Sequence, residues 1–102
     1  MIRFAPRAVA DLEALHAYLS RHAGYVRADH ELASLVDWCG SFSIFPHRGT
    51  LRDDVLPGLR VAHHRERTAV ALRVDEAHAR VAILAVYPRG RDVDAALQTI
   101  GA

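Results

Sequence analysis

Lysine and asparagine are absent from this chain, and all 13 of its strongly basic side chains are arginines. Beside the abundant alanine, this reads as the codon usage of a GC-rich genome, so the missing lysines carry no chemical message by themselves. The single cysteine, Cys39, excludes an internal disulfide and points to a reducing, cytoplasmic setting. No apolar run approaches the ~18 residues of a membrane-spanning helix, and Met1-Ile2-Arg3-Phe4-Ala5-Pro6 is not the start of a secretion signal. Repeats, low-complexity tracts and linkers are missing too, so the 102 residues are expected to form one domain, 1–102. Neither a nucleophile elbow nor a glycine-rich phosphate loop occurs. His63 and His64, adjacent in an expected strand, point to opposite faces and with His78 make no chelating set. No metal, no cofactor and no membrane partner is expected.

What is present is an uneven distribution of charge. Residues 1–45 carry four arginines against five acids, whereas residues 46–92 carry nine against six. The positive field belongs to the second half, but the surplus is smaller than phosphate neutralisation would usually require of a nucleic-acid binder.

Hydropathy patterning divides the chain at the same place. Ile2-Arg3-Phe4 reads as a short strand. Pro6 suits the first turn of a helix, with Ala8, Leu12, Leu15 and Leu19 on one side and Gly24 as its stop. A second helix follows, carrying Tyr25, Ala28, Leu32, Leu35, Cys39 and Phe42 before Pro46. The short link makes the two an antiparallel hairpin facing a common core. After Gly58 the period changes to two, and strands are expected over 59–64, 67–75 and 80–87. A short closing helix over 92–100 would turn Val93, Leu97 and Ile100 inward. The fold class is therefore α+β, in the order β-α-α-β-β-β(-α), an antiparallel sheet with the hairpin on one face. The other face is expected to be partly open, with Ala69, Ala71 and Arg73 lining a groove and Arg60 at its edge. Val81, Ile83 and Ala85 of the last strand would lie beside Arg73.

Two basic turns flank this sheet. Phe45-Pro46-His47-Arg48-Gly49-Thr50 leads through Arg52 to Pro57-Gly58-Leu59-Arg60, and the last strand empties into Tyr87-Pro88-Arg89-Gly90-Arg91-Asp92. Arg60 is placed either to meet an anion or to pair with Asp53 or Asp54. Arg73, between small alanines, has room to reach a partner's carboxylate. Cleavage of RNA by its 2′-hydroxyl needs a base, cations for the phosphorane and an acid for the leaving oxygen. Tyr87 and His64 are the groups that could move protons here, with Arg60, Arg73 and Arg89 as candidate cations. Arginine itself stays charged and is a poor proton carrier.

Ala10-Asp11-Leu12, the 45–50 turn, Pro57-Gly58-Leu59-Arg60, the strand from Val81 to Leu84 and the closing Gly90-Arg91-Asp92 with Leu97 together resemble the RelE/ParE superfamily of toxins from type II toxin–antitoxin modules, also called plasmid stabilization proteins. The resemblance spans nearly the whole chain, and the closing Arg91-Asp92 pair is more similar to the ParE branch. It implies a toxin that inhibits DNA gyrase without catalysis and is neutralised by a cognate, ParD-like antitoxin, as a homodimer or a toxin–antitoxin heterotetramer. Arg60, Arg73, Tyr87, Arg89 and Arg91 would then contact antitoxin or target. The alternative it implies is a RelE-like ribosome-dependent mRNA endoribonuclease using Arg60, Arg73, His64 and Tyr87. Many ParE-type chains carry Arg at the place of Ala85 and His at that of Pro88. These two departures point to a third outcome, a toxin that binds its antitoxin and harms nothing.

Overall fold

The computed structural model describes residues 1–88 and 90–101. The chain runs β1 (Ile2–Phe4), α1 (Pro6–Ala23), α2 (Tyr25–Gly40), a 3₁₀ turn (Ser41–Ser43), β2 (Thr50–Leu51), β3 (Leu59–His64), β4 (Thr68–Asp75), a second 3₁₀ turn (Glu76–His78), β5 (Arg80–Tyr87) and α3 (Val93–Gly101). The α+β class and the helical hairpin are as the sequence patterning requires. Two features go beyond it. The two-residue β2 adds an edge to the sheet, whose order is β1-β5-β4-β3-β2. At the opposite edge β1 pairs with β5 in parallel, while the remaining pairs are antiparallel.

Pro6 opens α1, where its missing N–H is no loss. Gly24, with φ 86° and ψ 163°, ends α1 and turns the chain into α2 in a backbone conformation that is nearly glycine-only. The matched stripes of the hairpin then cover one face of the sheet. Ala8, Leu35, Cys39 and Phe42 pack there on Ala62, Val70, Leu72, Val81 and Ile83, and all nine are buried.

The second face is not the open groove that strand alternation suggested. Ala69 and Ala71 are 2% and 0% exposed, because α3 lays Ala96 and Leu97 over them, with Val93, Ile100 and the loop residues Val55 and Leu56 alongside. Two side-chain clamps hold α3 in place. Arg52 donates to Asp94 at 2.6 Å while gripping Asp54 with two further bonds of 2.9 Å, and Arg7 donates to Thr99 at 2.8 Å. Only Arg73 of the expected groove residues reaches solvent.

A β-bulge in β5 decides what each of its side chains faces. Ala71 pairs with Ala85 but Leu72 pairs with Ile83, so Leu84 has no partner. Val81 and Ile83 therefore face the hairpin, while Ala85 lies beneath α3 and away from them. The expected row of Val81, Ile83 and Ala85 beside Arg73 does not exist. Beyond the bulge, Val86 faces the hairpin and Tyr87 the α3 side. Since β1 ends opposite Ile83, the Val86 N–H has no strand partner, and the Asp11 carboxylate accepts from it at 2.9 Å.

Candidate functional site

Arg60 and Arg73 do not share a groove. Arg60 pairs across the ladder with Leu72, which faces the hairpin, whereas Arg73 pairs with Leu59, which faces α3. Directly opposed residues share a face, so the two guanidiniums leave opposite sides of the sheet. Arg60 donates through Nη1 to the His47 carbonyl at 3.2 Å. It pairs with neither Asp53 nor Asp54. Asp53 accepts from the Gly58 N–H at 2.7 Å, and Asp54 belongs to Arg52, whose hydrogen bonds hold that carboxyl below the usual carboxylate range.

His64 lies on the hairpin face, 7% exposed, under α2. Its Nε2 stands 3.4 Å from Ser34 Oγ, and its ring centre is 5.2 Å from that of Trp38. Burial pushes its pKa below the ordinary imidazole value, and Arg65 pushes the same way against a smaller opposing pull from Glu31. It is a neutral, enclosed histidine.

Tyr87 is 2% exposed, and its hydroxyl has no hydrogen-bond partner among the described residues. The Arg7 guanidinium stands 5.7 Å from the ring centre. Burial raises the phenol pKa above its ordinary value, and Asp11 adds to this, with Arg7 and Arg91 opposing. At neutral pH this is a protonated, hidden phenol, an unsuitable base. Arg91 is exposed in the turn before α3. Arg89 lies outside the described residues. Ala85 is fully buried. Cys39 is a core residue whose thiol pKa burial pushes up to about 11, with Arg48 opposing.

Tyr87, His64 and Arg91 do meet in one respect, because all three line a cleft of about 690 Å³ between the hairpin and the ends of β3, β4 and β5. Arg7, Arg27 and Arg67 line it as well. Sequence reasoning missed these three. They come from two helices and the β3–β4 turn, and no local spacing connects them. Among the described residues no group of three or more His, Cys, Asp or Glu side chains could hold a metal ion.

Comparison with known proteins adds to this geometry. Residues 2–93 match the family model described as the ParE toxin of the type II toxin–antitoxin system parDE. No curated protein matches the sequence. A chain of the chromosomal ParDE toxin–antitoxin system from P. aeruginosa superposes with a TM-score of 0.72 at 20% identity, over 86% of this chain and 94% of that one. A chain of the toxin–antitoxin complex RelBE2 from Mycobacterium tuberculosis superposes with a TM-score of 0.67 at 28% identity, over 89% of this chain and 92% of that one.

Proposed function

The chain belongs to the family of ParE toxins of type II toxin–antitoxin systems, and from that premise we propose that it inhibits DNA gyrase by binding alone, with a small cognate antitoxin holding it inactive. One observation carries the non-catalytic part. The four side chains that RNA cleavage would recruit do not all assemble: Arg60 and Arg73 leave opposite faces, and His64 and Tyr87, though they line one cleft, are both buried. Arg73 and Arg91 are exposed and have no ion-pair partner among the described residues, which suits contacts to carboxylates of a target or antitoxin. The antitoxin is expected to be an acidic amphipathic segment that orders on binding. Both structural relatives come from toxin–antitoxin systems, which supports such a partner.

The second reading, a ribosome-dependent mRNA endoribonuclease, draws support from the 28% identity to the RelBE2 chain. Induction of this protein alone in cells separates the two. Filamentation with DNA damage, and loss of supercoiling by purified gyrase, are expected. Cleaved messages on programmed ribosomes, abolished by Tyr87→Phe or His64→Ala, would overturn the gyrase reading in favour of the nuclease. Growth unaffected by either route, in a protein that still purifies with its antitoxin, would leave only the binding role.

A further inference from the structure

Of the cleft between the hairpin and the strand ends the gyrase reading uses only Arg91, yet the composition of the whole is unusual for an idle surface. Arg27 begins in the first turn of α2, Arg67 enters β4 and Arg91 lies in the turn after β5, and all three line it. None of them has an ion-pair partner among the described residues. The two acids of the cleft are already engaged. Asp11 accepts from the Val86 N–H at 2.9 Å and stands 3.9 Å from Arg7, and Glu31 faces Arg65 at 3.5 Å. The rest of the lining holds an apolar wall of Leu15, Leu19, Leu35 and Val86, with Tyr18, His64 and Thr68 beside it. Tyr87 lines the cleft too, its hydroxyl buried and without an acceptor among the described residues.

Guanidiniums without carboxylates repel one another, and they are best matched by a dianionic oxyanion that accepts several forked hydrogen bonds. A cleft of about 690 Å³ is also within the usual range for small-molecule sites. We propose that this cleft binds a phosphate monoester carried on a body of mononucleotide size that presents an apolar face. The phosphate lies among Arg27, Arg67 and Arg91, and the body lies against the leucine wall. An oxyanion that draws Arg7 off the Tyr87 ring gives the phenol the acceptor it lacks.

Calorimetric titration of the full chain with AMP, inorganic phosphate and adenosine tests this. AMP is expected to saturate, with adenosine weaker by about tenfold or more because the arginines lose their anion. Arg27→Ala and Arg67→Ala should each weaken AMP by about tenfold, since hydrogen bonds between charged groups are lost. Tyr87→Phe, which keeps the ring, should weaken it by a few-fold without loss of the folded state. Absence of saturable AMP binding up to about 10 mM overturns the proposal, as does equal binding of adenosine or indifference to the arginine variants. Phosphate binding as tight as AMP overturns the role given to the leucine wall.

Discussion

Replacing Gly49 by alanine should be among the most damaging single-methyl changes this protein can undergo. Gly49 has φ 86°, a conformation that costs an ordinary L-residue about 1–2 kcal/mol. The added methyl would also overlap the Val61 carbonyl oxygen, and it would lie 2.9 Å from the carbonyl carbon and 3.0 Å from the Ala62 Cβ. These are backbone and buried atoms of β3, whose Val61 pairs with Thr50 on one side and Ala71 on the other. Neither can swing away as a side-chain tip would, and forced backbone shifts of this kind cost a further ~1–3 kcal/mol. The sum is about 2–5 kcal/mol, a large part of the 5–15 kcal/mol typical of a folded domain. Gly58 supplies the control. Its φ is 77°, but a methyl there meets only the flexible Arg73 side chain, at 3.9 Å. Gly58→Ala should therefore show the conformational cost of ~1–2 kcal/mol without the overlap. Urea unfolding followed by Trp38 fluorescence measures both. With slopes of about 1–3 kcal/mol/M, the midpoint of the Gly49 variant should fall well below that of the Gly58 variant. Equal midpoints would refute the close approach of Gly49 to β3.

Four further outcomes follow from specific contacts. Tyr87→Phe should leave stability unchanged or raise it by ~1 kcal/mol, since it removes a buried hydroxyl without a partner; a loss above that in thermal unfolding would mean the hydroxyl is bonded. Asp11→Ala strands the buried Val86 N–H and should cost about 1–3 kcal/mol, with faster amide exchange at Val86 as its local signature. Gly40→Ala, at a helical position (φ −59°) where a methyl meets nothing within 4 Å, should stabilise by ~0.4–1 kcal/mol in the same urea assay. The depressed pKa of His64 means that the unfolded chain takes up this proton first as the pH falls. The histidine's contribution is complete above its ordinary value of 6.5 and is lost as the pH drops below it, levelling off beneath the folded pKa. His64→Gln should flatten that part of the stability–pH curve, and an unchanged slope would show the imidazole to be solvated.

The hairpin was legible because its information is local. Pro6, Gly24 and the stripe through Leu12, Leu15 and Leu19 lie within a few turns of one another, and the switch to period two after Gly58 announces the meander. The candidate site was less legible. Arg27, Arg67 and Arg91 line one cleft only because the strand ends return beside the hairpin, and nothing near any one of them in the chain marks the other two. The covering of Ala69 and Ala71 was hidden for a similar reason. The apolar stripe of α3 could be read, but its destination depends on the Arg52–Asp94 and Arg7–Thr99 clamps that tie distant segments together.

Composition and patterning by themselves determined the element order, the apolar faces and the family resemblance, since these depend on residue type and short spacing. Tertiary structure alone decided which way the functional side chains point. Alternation carried forward from Val81 and Ile83 would put Tyr87 on the hairpin face, but the unpaired Leu84 shifts the phase and sends it under the α3 side. A bulge is a mismatch in length between two paired strands, set by how β5 must register with β4 at both ends. It is a property of the pair, so no reading of β5 alone contains it.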